Sequence, residues 1–322
     1  MAKTLDTVLL FALPASGKSE VRKYLSLLDP VLCAEDFHMG RTVQLDDFPY
    51  VHLMRRIAET LGELGQDRIF FPSMEKPFTD PRDWGTLIEL LNEDHADLVA
   101  RRVHEPDSAA TWLFDRIDRA RGKVGAPAAL ASLSPGVRAQ VASAIEDEAR
   151  DLAKNLAAEH PDTLAGKTIV LEAARGGPAG STMPLAAPFG YRHSIGQLSP
   201  ELLENATILY IWVTPEESRR KNDARADPND PGSILHHGVP LDVMLGDYGC
   251  DDMAWLIEQS TKPGHIQIEA HGRTFDIPVA RFDNREDKTS FVREDKADWR
   301  PADVEALHEG LKAALTELAE RI

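Results

Sequence analysis

Apolar residues fall along this chain in two patterns. Four short runs are almost continuously apolar: Thr7 to Leu13 (TVLLFAL), Pro30 to Ala34 (PVLCA), Thr168 to Ala173 (TIVLEA) and Thr207 to Val213 (TILYIWV). Lacking strict alternation, they are predicted to be strands covered on both faces. A fifth run, Phe275 to Phe282 (FDIPVARF), is weaker, because Pro278 suits an edge or a bulge. Between the runs lie stretches with helical spacing. Gly17 to Leu28 follows the first strand. Pro49 to Leu64 carries Leu53, Ile57, Leu61 and Leu64 on one side, and Asp83 to His104 carries Leu87, Leu90, Leu91 and Leu98. Gly136 to His160 is stopped by Pro161, and Ala302 to Ile322 has Val304, Leu307, Leu311, Leu315 and Leu318 along one stripe. Strands alternating with helices predict an α/β fold with a parallel sheet covered on both faces.

One interval breaks the rhythm. Roughly 130 residues separate the second and third strands, far more than a single crossover helix needs. They are mainly helical. The expected organisation is a core from residues 1–40 and 165–322, with an inserted helical lobe over 41–164. The most linker-like stretch, Gly122 to Gly136, falls inside that lobe.

Composition narrows the class. The chain has 322 residues, 43% hydrophobic and 28% charged, as expected of a soluble globular protein. No apolar run nears the ~18 residues that span a bilayer. The opening residues lead into a strand without a signal-peptide pattern. Two cysteines, Cys33 and Cys250, suit a reducing compartment, so a cytoplasmic location is expected. The net charge of −17 repels nucleic-acid backbones and anionic membranes, making nucleic acid an unlikely partner. It leaves room for a local basic pocket that takes a small phosphorylated ligand.

The strongest chemical signal is Ala12-Leu-Pro-Ala-Ser-Gly-Lys-Ser19, directly after a strand and opening a helix. It matches the phosphate-loop pattern G-x-x-x-x-G-K-[ST] except that Ala12, the smallest replacement, stands at the first glycine. Gly17 lets the backbone approach an anion, the loop over Pro14, Ala15, Ser16 and Gly17 wraps it, and the N–H groups after Pro14 and the helix start point at it. Lys18 supplies charge for the terminal phosphates and the Ser19 hydroxyl can ligate magnesium. The run LPASGKSEVRKYL resembles the P-loop of small-molecule and nucleotide kinases. That resemblance implies a three-layer P-loop NTPase sandwich with strand order 2-3-1-4-5, using ATP and magnesium.

Further candidates sit at other strand ends, where open α/β sheets bind ligands. Glu35-Asp36-Phe37-His38 closes the expected second strand and is similar to segments of uridine-kinase-like enzymes. Asp36 is the candidate base, with Glu35 and His38 on the substrate side; a helix cap is the alternative. Glu172 ends the third strand as a magnesium-orienting acid would. Arg175, with Gly176 and Gly177, forms a basic loop that could hold an anionic substrate. After the fourth strand, Arg219, Arg220 and Arg225 resemble the lid arginines of adenylate-kinase-like proteins, which neutralise the transferring group; a solvated basic helix is the alternative. The loop Asp227 to Gly238 suits a lid. His236, His237 and Cys250 lack the spacing of a metal site. In the lobe, Asp46-Asp47-Phe48-Pro49-Tyr50 begins a helix with Arg55 and Arg56, and Phe70-Phe71-Pro72 and Asp83-Trp84-Gly85 add aromatic and turn residues; these line an acceptor pocket or, more simply, the aromatics pack the lobe's core.

The reading is ATP- and magnesium-dependent phosphoryl transfer to a small acceptor, a nucleoside, nucleotide or sugar-like molecule. Two alternatives stand beside it: a nucleotide hydrolase coupled to conformational change, and a non-catalytic nucleotide-sensing module.

Overall fold

A computed structural model describes residues 4–225, the Arg225 side chain excepted, and 238–322. Along the chain, β1 (Thr7–Phe11) runs through a loop into α1 (Lys18–Ser26), α2 (Pro30–Phe37) and β2 (Arg41–Asp46). Four longer helices follow: α3 (Phe48–Glu63), α4 (Asp83–Ala100), α5 (Ala109–Lys123) and α6 (Pro135–Ala158). Then come β3 (Lys167–Ala173), α7 (Gly190–Gly196), α8 (Pro200–Asn205), β4 (Ala206–Trp212) and α9 (Pro215–Arg225). The last part holds α10 (Leu241–Gly246), α11 (Met253–Gln259), β5 (His265–Ala270), β6 (Arg273–Asp283) and α12 (Pro301–Arg321).

The six strands lie in the order β2-β3-β1-β4-β6-β5, parallel except for β5. The α/β class with a mostly parallel sheet is thus present, but the expected order 2-3-1-4-5 is corrected in two ways. An antiparallel edge strand, β5, is added, and the second strand is a different segment. The sequence Pro30 to Ala34 is not a strand. Asp29 accepts a hydrogen bond from Val31 N–H at 2.8 Å and Pro30 opens the first turn, so the apolar run starts α2. The true β2, Arg41–Asp46, was expected to begin the lobe. As an edge strand it needs only Val43 and Leu45 buried, so its pattern is a short alternation. The β5–β6 hairpin turns at His271 and Gly272, both with positive φ (52° and 75°), as a tight two-residue turn requires. Pro278 sits where β6 leaves β5 and starts its ladder with β4 at Val279, so it removes little pairing.

Alternation along β1 builds the layers. Leu9 and Phe11 face a core shared with Tyr191 and Ile195 of α7, Leu202 of α8 and Leu256 of α11. Val8 and Leu10 face the opposite core, with Val21 and Tyr24 of α1, Phe37 of α2, and Leu307, Leu311 and Leu315 of α12. Each fully buried aliphatic or aromatic side chain contributes roughly 1.5–3 kcal/mol. The sheet is thereby clamped between two helical layers, which fixes the loop that follows β1.

Helices α3 to α6 form a third core of their own, with Leu53, Ile57, Leu87, Leu113 and Ile145, into which Leu13 and Val213 of the sheet end also pack. A buried polar node ties this lobe together. Tyr50 Oη donates to Asp94 Oδ2 at 2.6 Å, and Arg116 reaches both Asp94 Oδ1 (2.6 Å) and Tyr50 Oη (2.9 Å). Among the described residues, no helix is long and apolar enough to cross a membrane.

Candidate functional site

The loop from Ala12 to Ser19 leaves the central strand and enters α1. Two of its residues have positive φ, Ala15 at 56° and Gly17 at 106°. Alternate carbonyls of the loop are engaged, one from within and two from outside. Lys18 Nζ reaches back to Ala12 O at 3.4 Å, Ser218 Oγ donates to Pro14 O at 2.7 Å, and Asn284 Nδ2 donates to Ser16 O at 2.7 Å. The N-cap of α1 is Gly17, which brings no side-chain cap to the helix start. That arrangement is suited to an anion.

The glycine at position 17 is demanded twice. Its φ lies in the left-handed region, and a Cβ there would stand 2.5 Å from Thr289 Oγ1 and 2.8 Å from Asn284 Nδ2. Replacement Gly17→Ala is expected to lower unfolding free energy by about 1–3 kcal/mol in chemical denaturation, because it combines backbone strain with a clash against the braces. An unchanged denaturation midpoint would show that the loop does not hold this conformation.

Three carboxylates meet the loop at the carboxyl ends of β2 and β3. Strand register puts Asp46 beside Glu172, and Glu172 beside Leu10 of the central strand. Arg22, one turn along α1 from Lys18, bridges the first pair, 3.0 Å from Asp46 Oδ2 and 2.7 Å from Glu172 Oε2. Asp46 Oδ1 accepts from Phe48 N–H at 2.9 Å, which starts α3. Burial first, and the charge of Glu172 second, push the Asp46 carboxyl up to about 7 against the pull of Arg22. Asp47 turns to the other side, where Arg175 holds its Oδ2 at 2.5 Å. Burial raises the Asp47 carboxyl as well, against the charges of Arg175 and Lys18.

Loop and carboxylates line one cavity of about 130 Å³, whose far wall is Val51, Arg55, Phe71, Trp84, Val243, Asp247 and Tyr248. Asp247 is only 5% exposed. Burial pushes its carboxyl up to about 7, opposed by a hydrogen bond from Trp84 and the charge of Arg55. A raised carboxyl costs stability once it ionises: the native state holds its proton above the ordinary range near ~4, so the penalty grows from about pH 4 to about pH 7. Asp247→Asn removes that penalty. Urea denaturation should therefore find the variant more stable than the parent at pH 8, by up to ~4 kcal/mol, and the gap should shrink toward pH 5. A gap independent of pH would contradict the assignment.

The structure gathers Pro14, Ala15, Ser16, Gly17, Lys18, Ser19 and Glu172 at this cavity. It corrects the expectation for Asp36, Glu35 and His38, which belong to α2 and its end and not to a strand end. Asp36 faces α12, 2.7 Å from Lys312 Nζ and 2.9 Å from His308 Nε2, whose hydrogen bonds hold its carboxyl below the usual range. Glu35 is exposed, and the His38 carbonyl accepts from Leu5 N–H at 2.8 Å. Arg175 is buried with Asp47 and over the Trp84 ring, and it does not line the cavity. Arg219 and Arg220 lie on α9, paired with Glu216 at 3.0 Å and Glu217 at 2.6 Å, and neither lines the cavity. Arg225 ends α9, and its side chain and most of the Asp227 to Gly238 loop, including His236 and His237, lie outside the described residues. Phe71 and Trp84 both pack the lobe and face the cavity.

Several participants carry no sequence signal. Ser218, Asn284 and Thr289 brace the loop from two distant segments, and Lys221, bonded to Asn284 O at 3.1 Å, fixes the brace in turn. Asp46 and Asp47 were detectable: they follow the alternation that defines β2. Among the described residues, no group of three or more His, Cys, Asp or Glu is gathered to hold a metal ion by itself. Comparison of the chain with protein-family models, curated proteins and solved structures found no match.

Proposed function

We propose that the Ala12–Ser19 loop holds the phosphates of a magnesium–nucleoside triphosphate, ATP in the first instance, and that the protein transfers the terminal phosphoryl group to a hydroxyl of a small molecule in the same cavity. The observation that supports this best is the bracing of Pro14 O and Ser16 O by Ser218 and Asn284, in a loop that lines the cavity together with Lys18 and opens α1 at a glycine. A loop so braced between a central parallel strand and a helix start fits a polyphosphate.

In this reading the loop amides and Lys18 hold the donor phosphates. Ser19 and Glu172 hold magnesium, which supplies charge neutralisation at the phosphate oxygens; a magnesium ion that keeps phosphate and water ligands needs no all-protein cage. Arg22 and Asp46 keep Glu172 in place. Asp47 replaces Asp36 as the group that receives the acceptor proton. Asp46 has both oxygens engaged, whereas Asp47 is anchored through Oδ2 by Arg175, and Lys18 is near enough for its charge to act on it. The acceptor oxygen forms a bond to the terminal phosphorus, the bridging P–O bond breaks, the proton goes to Asp47 and a nucleoside diphosphate leaves.

The test is magnesium-dependent ATP turnover with and without a pooled panel of nucleosides, nucleotides, sugars and small alcohols. A rate stimulated by one acceptor, with a phosphorylated product, is the expected result. Turnover indifferent to every acceptor would favour a nucleotide hydrolase instead.

A further inference from the structure

The far end of the cavity has its own chemistry. Asp247 is almost fully buried and lines the cavity, yet its Oδ2 meets no hydrogen-bond donor. The Trp84 side chain lies beside the same carboxyl group and opposes the effect of its burial. Arg55 stands across from it, close enough that each group feels the other's charge, with no ion pair joining them. Its guanidinium is held on the Phe71 ring, 3.9 Å from the centroid, and donates to Met74 O at 2.8 Å. A buried acceptor without a donor costs free energy, and a ligand that brings the donor recovers it.

Three classes of acceptor can be ranked against this wall. A phosphorylated acceptor brings a second dianion beside the donor phosphates, yet among the described residues the cavity lining has Glu20, Asp46, Asp47, Glu172 and Asp247 against Lys18 and Arg55. A plain sugar presents hydroxyls on every side, whereas Phe71, Trp84, Val243 and Tyr248 leave most of this end apolar. A heteroaromatic base has apolar faces and one polar edge, which suits an apolar slot with a single unfilled carboxylate oxygen and an arginine beside it.

We infer that the acceptor is an uncharged nucleoside, its base placed at the Asp247 end with a ring or exocyclic N–H on Asp247 Oδ2, and its sugar hydroxyl receiving the phosphoryl group. This rests on the phosphoryl-transfer reading above.

The experiment is calorimetric titration of the full chain with ribo- and deoxyribonucleosides, their 5′-monophosphates, and free ribose and glucose, followed by the same titrations on Asp247→Asn. The expected result is one or more nucleosides binding at least tenfold more tightly than their monophosphates and than either sugar. Asp247→Asn should weaken that binding at least tenfold while the affinity for magnesium–ATP stays unchanged. A monophosphate or a sugar as the tightest ligand, no binding by any nucleoside, or full nucleoside affinity in Asp247→Asn would each overturn the inference. Should the variant not fold, the ranking on the parent protein decides. Radiolabel transfer from ATP separates the two readings: transfer to a monophosphate or sugar sinks the nucleoside assignment and keeps the kinase. A nucleoside that binds at Asp247 without being phosphorylated keeps the base pocket and sinks the kinase.

Discussion

Replacing Lys18 by alanine lowers acceptor-stimulated turnover by ~10²–10³-fold, the scale on which removal of one preorganised donor to a transition-state charge is felt. The residue opens α1, is buried within the loop, and reaches Ala12 O. In the proposed complex that ammonium group turns to the terminal phosphates, where charge is spread as the phosphoryl group leaves its donor. The fold itself has little stake in it. The loop remains braced through Pro14 O and Ser16 O by Ser218 and Asn284, and Asp47 keeps its partner Arg175. Far-ultraviolet circular dichroism and the melting temperature should therefore change little while turnover falls. Turnover equal to the parent protein's would remove the assignment of this loop.

The second large effect is expected at Asp47. Asp47→Asn keeps the shape and can still accept from Arg175, but its amide cannot take the acceptor's proton. Turnover should fall ~10²–10⁴-fold, the range for loss of a positioned base, with the affinity for magnesium–ATP nearly unchanged. The pH profile gives a readout that a merely structural role would not move. Burial holds the Asp47 carboxyl above its ordinary value, so the ionised base forms only as pH rises through that raised value. The parent's rate should climb on that limb, and the variant's residual rate should not. Asp36→Asn is the matched control: bound to His308 and Lys312 on α12, it should leave turnover intact. A loss at Asp36 comparable to that at Asp47 would contradict the site as drawn.

The contrast between those two aspartates shows what the sequence could reveal. The central strand and its loop were legible because burial on both faces leaves an almost uninterrupted apolar run, and because Gly17 marks a backbone conformation that L residues avoid. Glu172 was legible for a related reason, as an acid at the end of a buried run. The second strand was misplaced because PVLCA has a strand's composition, while what starts a helix there is the hydrogen bond from Val31 N–H to Asp29 together with Pro30 in the first turn. That one error carried Asp36 into the site and left Asp46 and Asp47 in the lobe. Arg175 was expected to meet substrate, since a sequence does not show that a carboxylate more than a hundred residues away has already claimed it. The braces at Ser218 and Asn284 and the unfilled oxygen of Asp247 arise from tertiary packing alone, and no local pattern encodes them.

The central claim, that the Ala12–Ser19 loop is a polyphosphate site, is tested most directly by calorimetric titration of the full chain with magnesium–ATP, alongside Lys18→Ala. The account predicts one saturable site per chain whose affinity drops at least tenfold in the variant, with AMP binding weakly because it lacks the phosphates the loop takes. No detectable site, or a site that Lys18→Ala leaves at full affinity, would contradict it.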